Sequence, residues 1–299
     1  MRQTTERLRL SQGPLAGQTR ARALAVAAAV LFSTGGAAIK TEAFGALQVS
    51  SVRSGVAAIA LLLFLGGKRH LTGPIVATGA AYAATLTTFV AATKLTTAAS
   101  AIVLQSTAPL YLLVIGPWLL KEQLHRRDVG HAVAMTAGLL ACFLGQPGAS
   151  ATAPDPAMGN LLGFASSLAW AATLTGLRSV TKTGQRGAAL SAVIVGNMLA
   201  SLAVLPFALP FPAAPALAWA GLLYLGVIQI GLAYVCLTRA LDHLPALEVS
   251  LLLLMEPVLN PVWTWLIRGE QPGGWVIVGG AFILAASARR AMTRASELH

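Results

Sequence analysis

The sequence predicts an all-α integral membrane protein with ten transmembrane helices, arranged as two inverted repeats of five helices each. Three observations support this prediction: the composition, the distribution of Lys and Arg along the chain, and segments that recur in both halves. Hydrophobic residues make up 56% of the chain and charged residues only 10%, which lies outside the averages for soluble domains. The composition therefore indicates a protein that spans a membrane several times.

Ten stretches have the roughly 20 predominantly apolar residues that a transmembrane helix needs. Polar, Pro or Gly residues separate these stretches. We number them spans 1 to 10 and place them at 23–39, 46–67, 71–93, 98–120, 128–146, 159–177, 187–208, 215–237, 246–267 and 273–289. A basic region before span 1 is also typical of a cleavable signal peptide. Span 1 has a counterpart later in the chain, which favours a retained helix.

Basic residues predict the orientation, because Lys and Arg collect in cytoplasmic loops. Most of the 21 Lys and Arg residues fall into alternate loops if the N-terminus lies inside, so both termini are predicted to be cytoplasmic. Residues 1–20 form the predicted cytoplasmic arm, and residues 291–299 form the cytoplasmic tail. The net charge of +11 is spread over every inner loop. This distribution argues against a nucleic-acid partner and indicates contact with membrane lipid.

Similar segments occur in the same order in the two halves of the chain. "APLYLLVIGPWLLKEQ" in span 4 corresponds to "EPVLNPVWTWLIRGEQ" in span 9, which aligns Pro109 with Pro257. "LFSTGGAAIK" in span 1 corresponds to "LAWAATLTGLR" in span 6, which aligns Phe32 with Trp170. The predicted organisation is a first five-helix repeat at 21–147, an outer linker at 148–158 and a second five-helix repeat at 159–290.

An odd number of spans in each repeat means that the second repeat enters the membrane from the opposite side. Inverted repeats are typical of secondary transporters, whose substrate site lies near the midplane between the repeats. Pro109 and Pro257 each remove a backbone donor and predict breaks in spans 4 and 9. Freed carbonyl groups are tolerated where they line a cavity or are buried in protein. The two prolines are therefore candidate hinges, with static packing kinks as the alternative.

These features resemble one known family. The ten spans, the doubled five-helix unit, and a Pro followed thirteen residues later by Glu and then by glycines resemble the EamA family of the drug/metabolite transporter superfamily. Within that family the chain is most similar to bacterial exporters of aromatic amino acids. The resemblance implies a carrier in the bacterial inner membrane that exports amino acids by alternating access through a central cavity between the repeats. Efflux of organic cations or of another small metabolite is the alternative.

The resemblance also implies a cavity walled mainly by spans 1, 3, 4, 6, 8 and 9. Polar or aromatic side chains in the middle of these spans are the candidate substrate ligands: Tyr82, Gln105, Trp170 and Tyr234. Aromatic faces suit an amino-acid side chain or a cation, and amide and hydroxyl groups can orient a zwitterion through hydrogen bonds. Core packing or a position in the interfacial belt is the alternative for each aromatic residue.

Two charged residues, Arg53 and Glu256, lie far from both ends of their predicted spans. A charge at the bilayer centre costs roughly 3 kcal/mol on insertion scales, so Glu256 is expected to face a cavity or to find a partner. Three roles stay open for it: a structural hydrogen bond at the proline break, which we favour, proton coupling, and binding of a substrate ammonium group. Arg53 is expected to pair with a carboxylate of the protein or of the substrate, or to extend toward the outer interface.

The sequence carries no pattern that predicts an enzyme. The five His residues are scattered and have no spacing that would assemble a metal site, and no phosphate-binding Gly-rich loop with its lysine predicts an ATP motor. We therefore expect no catalytic residues, no metal and no cofactor. An intramembrane enzyme with Glu256 or a His as its catalytic group is the alternative from another class.

Overall fold

The computed structural model describes residues 14–35, 38–39, 43–65, 70–96, 98–123, 126–144 and 154–268, together with 274–275, 278–279, 281–282 and 285. Several predictions lie outside the described residues. They concern residues 1–13, linker positions 148–153, most of span 10 and the tail 291–299.

Helices make up most of the described part of the chain, and no β-strand occurs in it. The helices are α1 Pro14–Ser33, α2 Ala46–Leu65, α3 Gly73–Leu95, α4 Ala98–Gln105, α5 Ala108–Ile115, α6 Arg126–Leu144, α7 Pro156–Thr181, α8 Ala188–Ala208, α9 Ala216–Tyr224, α10 Ala233–Leu241, α11 Ala246–Leu253 and α12 Met255–Arg268. A π-helical turn at Gly116–Leu120 continues α5, and a second one at Leu225–Leu232 joins α9 to α10. Within the described residues, helices thus occupy spans 1 to 9.

The first helix starts earlier than the sequence predicts. Residues 14–20, assigned to the cytoplasmic arm, form the beginning of α1. Proline is well suited to the first position of a helix because its missing N–H would have no partner there. The Leu, Ala, Gln and Arg residues that follow Pro14 are good helix formers. Local propensity therefore extends the helix beyond the apolar stretch.

In the described part of the chain, five helical segments are long and apolar enough to cross a membrane: Ala46–Leu65, Gly73–Leu95, Ser100–Leu120, Ala188–Ala208 and Ala216–Leu241. Large apolar side chains lie on their outer surfaces, among them Leu63 and Trp118, which are 78% and 84% exposed. Apolar surface of this kind suits contact with lipid. The protein is a multi-pass membrane protein, and the total of ten spans and the side on which the termini lie stay predictions.

The two halves of the chain interleave. Helix α3 of the first half packs along α7 of the second half, and the reciprocal contact joins α10 of the second half to α1 of the first. Helix α8 packs against both α2 and α3. In the repeat alignment, span 3 corresponds to span 8 and span 1 to span 6, so the two contacts are equivalent. The buried core therefore lies between the repeats.

The contact between α3 and α8 depends on glycine. Gly79 on α3 faces Gly196 on α8, and a Cβ added to Gly196 would lie 2.7 Å from the carbonyl oxygen of Gly79 and 2.6 Å from Cδ1 of Tyr82. A side chain at either position would force the two backbones apart. Small residues permit this approach of helices in a membrane, and here the approach buries the ring of Tyr82 between the repeats.

Spans 4 and 9 are each broken near their proline. Ser106 and Thr107 separate α4 from α5, and Leu254 separates α11 from α12. Pro109 and Pro257 lie in the first turn of the helix that follows, where the missing N–H removes no helical hydrogen bond. The predicted breaks are present at nearly equivalent positions of the two repeats. Motion at these breaks stays a prediction.

Candidate functional site

A cavity lies between the two halves of the chain, close to both broken helices. Its volume is about 50 Å³, whereas a cavity of roughly 150 Å³ is known to hold benzene. A ligand with an aromatic ring therefore fits only after the walls move apart. The side chains that line the cavity are Phe32, Arg53, Thr85, Leu86, Phe89, Gln105, Trp170, Gln229, Ile230, Tyr234 and Glu256.

Four aromatic rings pack together at this cavity, with Tyr234 at their centre. The ring centroids of Phe32, Tyr82 and Trp170 lie 5.2, 4.5 and 6.2 Å from that of Tyr234. Ring pairs in edge-to-face or tilted arrangements contribute about 0.5–1.5 kcal/mol each beyond the area that they bury. Two of the predicted ligands, Trp170 and Tyr234, thus lie side by side in the cavity wall.

Tyr82 differs from the prediction that it lines the cavity. Its side chain is 0% exposed and is not part of the cavity wall. The reason is the close contact at Gly196, which draws α8 over the ring and leaves it behind Tyr234. A single sequence shows that Tyr82 lies in mid-span, but it does not show which face of α3 a neighbouring helix will cover. In this conformation Tyr82 supports Tyr234 and would act on a ligand only through that ring.

Gln105 reaches the cavity from the last residue of α4, directly before the break. Its Nε2 donates to Ser166 Oγ at 2.7 Å, and Ser166 Oγ in turn donates to the carbonyl oxygen of Thr85 at 3.3 Å. The hydroxyl oxygens of Thr107 and Ser167 lie 2.7 Å apart. The break in span 4 is therefore tied to α7 and α3 by side-chain hydrogen bonds, which fix the amide of Gln105 in the cavity wall.

Gln229 is a site residue that the sequence reasoning missed. It lies in the π-helical turn Leu225–Leu232, a geometry often found at functional sites. Its Nε2 donates to the carbonyl oxygen of Phe32 at 3.4 Å, while its buried Oε1 has no hydrogen-bond donor in the described part of the chain. A Cβ added to Gly35 would lie 2.6 Å from Gln229 Nε2, so the glycine makes room for the amide. The sequence feature that could have identified Gln229 is its amide side chain within the otherwise apolar span 8.

Arg53 and Glu256 line the cavity from different repeats. Arg53 is 1% exposed, and its Nε has no acceptor among the described residues, so the side chain does not extend to the outer interface. Glu256 is partly buried, and its carboxylate forms no hydrogen bond or ion pair within the described ranges. The structural hydrogen bond that we favour from the sequence is thus not found there. In the described part of the chain, no group of three or more His, Cys, Asp or Glu residues could bind a metal ion.

Neither charge has a counterpart in the other repeat. The alignment that pairs the two break prolines places Ala108 opposite Glu256. Pairing Gly55 of span 2 with Gly196 of span 7 places Ile194 opposite Arg53. Because the first repeat forms its broken helix with alanine, the break itself does not require a carboxylate. The two charges are additions to a repeated scaffold.

Ion pairs join helices at one end of the bundle. Arg178 at the end of α7 donates from Nε to Glu122 Oε1 at 2.9 Å, and Lys182 Nζ lies 3.9 Å from the same oxygen. Arg22 on α1 donates from Nε to Glu248 Oε1 on α11 at 3.0 Å. Both carboxylates belong to a different repeat from their cations. Gly176, two residues before Arg178, packs on Thr78 in the first half of α3, whereas the cavity residues Thr85, Leu86 and Phe89 lie farther along that helix.

Comparison with known proteins agrees with this architecture. The model of the EamA-like transporter family matches the chain twice, at residues 19–144 and 157–288. A crystal structure of another protein has a similar fold, with a TM-score of 0.77 and 18% sequence identity over 92% of this chain and 97% of that chain. No curated protein matches the chain. The resemblance noted from the doubled motif is confirmed at the level of the family: the chain belongs to the EamA-like transporter family and is a membrane transporter of small molecules.

Proposed function

We propose that the protein exports amino acids with large apolar or aromatic side chains across the bacterial inner membrane. The observation that carries this proposal is an unpaired carboxylate, that of Glu256, in the same cavity as the rings of Trp170 and Tyr234. A carboxylate in a low-dielectric site attracts an ammonium group strongly. The rings offer a surface to an apolar side chain, and the amides of Gln105 and Gln229 supply polar contacts around it.

Efflux of organic cations is the second candidate. The same rings and the same carboxylate suit a quaternary or protonated amine, because a cation is attracted by an aromatic face as well as by a negative charge. The two candidates differ in the second charged group. An amino acid also carries a carboxylate, for which the cavity would need a positive partner.

We infer that the substrate moves by alternating access. The ion pairs of Glu122 with Arg178 and of Arg22 with Glu248 lie at the predicted cytoplasmic end. The cavity lies beside Thr85 and the residues that follow it in α3. The cavity is therefore displaced toward the predicted outer side of the membrane. This arrangement supports a state closed toward the cytoplasm. In the proposed cycle the pairs separate, spans 4 and 9 bend at their prolines, and the cavity opens inward.

The proposal is tested by counterflow in proteoliposomes. Vesicles are preloaded with unlabelled phenylalanine, leucine, lysine or a quaternary ammonium compound, and uptake of each labelled compound is measured with and without a pH gradient. We expect uptake of phenylalanine and leucine above that of protein-free vesicles. Uptake of the quaternary cation alone would instead establish the second candidate.

The same vesicles address coupling to protons. If transport is facilitative, a pH gradient leaves the final level of phenylalanine unchanged. Accumulation above the external concentration that disappears when the gradient is collapsed would make Glu256 the leading candidate for a proton carrier. Loss of this accumulation in Glu256→Gln, with counterflow retained, would then assign the proton to that carboxylate.

A further inference from the structure

We propose that Arg53 binds the carboxylate of the substrate, so that the transporter selects carboxylates over amines and amides of the same shape. This inference rests on the proposed function, because it names the group that recognises one end of the amino acid. It also distinguishes the two candidate substrate classes, since an organic cation has no carboxylate that Arg53 could bind.

The burial of Arg53 is the first argument. A guanidinium stays protonated in proteins and carries five N–H donors, yet the side chain is 1% exposed and its Nε has no acceptor among the described residues. A buried charge without a partner is unfavourable. A carboxylate that enters the cavity would relieve this cost by accepting two parallel N–H···O bonds, the geometry that makes arginine suited to carboxylates.

The protein supplies no carboxylate to this guanidinium in the described part. Glu256 lines the same cavity, but the two side chains form no ion pair. The other titratable groups near Arg53 are Tyr82 and Tyr234, whose phenol groups are neutral at physiological pH. The positive charge is therefore left for a ligand.

The backbone of Arg53 is held firmly. Gly226, in the π-helical segment of span 8, packs against it so closely that a Cβ there would lie 2.8 Å from the carbonyl oxygen of Arg53. This contact joins α2 of the first repeat to span 8 of the second. Because the side chain of Arg53 is itself buried, it loses little further freedom on binding, which favours affinity.

The repeat alignment supports a role in binding. The scaffold places Ile194 at the position equivalent to Arg53, and this isoleucine is 3% exposed. A buried apolar residue therefore satisfies the fold at that position in the other repeat. With Arg53 on one repeat and Glu256 on the other, a zwitterion can place its carboxylate on the first, its ammonium on the second and its side chain against the rings.

The first test uses the unaltered protein. Counterflow of labelled phenylalanine is measured against unlabelled phenylalanine, 3-phenylpropionate, phenethylamine and phenylalaninamide as competitors. We expect 3-phenylpropionate to compete, although more weakly than phenylalanine because it gives Glu256 no ammonium group. We expect the amine and the amide to compete about 30-fold more weakly than phenylalanine, because they leave the buried guanidinium of Arg53 unpaired. Equal competition by phenethylamine and phenylalanine would overturn the assignment of Arg53.

The second test uses variants. Arg53→Gln is expected to raise the KM for phenylalanine about 30-fold and to remove the preference over phenethylamine, and Arg53→Lys to give an intermediate result, because lysine keeps the charge but not the paired donors. Arg239→Gln is the matched control, since Arg239 lies outside the cavity. Its Cζ is 5.7 Å from the ring centroid of Phe64. An unchanged preference in Arg53→Gln would contradict the proposal.

The two proposals fail differently. If the protein carries neither phenylalanine nor leucine, both the proposed function and the role of Arg53 are wrong. If it carries phenylalanine but does not distinguish the acid from the amine, only the role of Arg53 is wrong. If Arg53→Gln fails to fold in detergent, the competition series on the unaltered protein decides.

Discussion

Phe32 and Trp170 occupy equivalent positions in the two repeats, and their rings meet edge to face, with centroids 6.5 Å apart. The contact forms because α1 packs on α10 while α7 packs on α3, which brings spans 1 and 6 to the same cavity. Both rings also touch Tyr234. Movement of one repeat against the other has to change this contact, so the two rings belong both to the cavity wall and to the moving interface.

Trp170→Ala is therefore expected to impair transport without preventing membrane insertion. Removing the ring deletes a contact surface for the substrate, and a loss of about 1.4 kcal/mol would raise the KM for phenylalanine about tenfold. Counterflow at several concentrations measures this effect. Trp118→Ala is the matched control, because the ring of Trp118 is 84% exposed on the outer surface. Equal KM values in the two variants would contradict the placement of Trp170 in the binding site.

Glu256→Gln separates a structural role from a role in binding. The equivalent position in the first repeat is Ala108, in a helix that is broken without a carboxylate. We therefore expect the variant to keep its unfolding temperature and to lose about tenfold or more in affinity for phenylalanine, since an ammonium group would lose its charged partner. Affinity is measured by competition and unfolding by a thermal scan in detergent. A marked fall in unfolding temperature with unchanged affinity would return Glu256 to the structural role.

Much of the fold could be predicted from the sequence because the membrane imposes strong rules. Span 2 is predicted at 46–67 and the helix runs from Ala46 to Leu65, since an apolar run with polar ends leaves little choice. The breaks at Pro109 and Pro257 follow from the missing backbone donors. Neither π-helical segment was predicted, because a π-turn is determined by the helices that pack around it and local propensity carries no sign of it.

The site was only partly predictable for a related reason. Gln105, Trp170 and Tyr234 carry polar groups in mid-span, and such groups tend to face the interior. Tyr82 satisfies the same rule, but the Gly196 contact covers it. Predicting that outcome requires the partner helix, which a single sequence does not reveal.

Gly196→Ala is expected to destabilise the protein. The added Cβ would lie 2.7 Å from the carbonyl oxygen of Gly79 and would push against the ring of Tyr82. The backbones of α3 and α8 have to separate, at a cost of about 1–3 kcal/mol. A lower unfolding temperature in detergent measures this cost. Gly17→Ala is the control, because nothing lies within 4 Å of a Cβ at Gly17, and a similar decrease in both variants would show that the contact is not the cause.

Glu122→Gln is expected to shift the protein toward a state that is open at the predicted cytoplasmic end. Glu122 Oε1 accepts from Arg178 Nε at 2.9 Å, and Arg178 also donates from Nη1 to the carbonyl oxygen of Leu241 at 2.5 Å. The side chains of Glu122 and Arg178 are only 12% and 15% exposed, so the ion pair is weakly screened by solvent. Its loss removes the charge that holds α7 to the end of span 4. A substitution shifts an equilibrium between two states only if it changes their free energies by different amounts. The loss of an ion pair that is present only in the closed state does this.

The shift can be followed with a cysteine at position 240. Ala240 is 0% exposed beside Leu241, so after both native cysteines are replaced by serine, Ala240→Cys should react slowly with a maleimide. We expect Glu122→Gln to raise the labelling rate about tenfold, which corresponds to about 1.4 kcal/mol. Lys182→Gln should have a smaller effect, because its Nζ lies 3.9 Å from the carboxylate and the side chain is 40% exposed. If labelling is equally slow in all variants, the ion pair does not hold this end closed. The double variant Glu122→Arg with Arg178→Glu exchanges the two charges. A return to slow labelling in this variant would show that the attraction between the two charges closes this end.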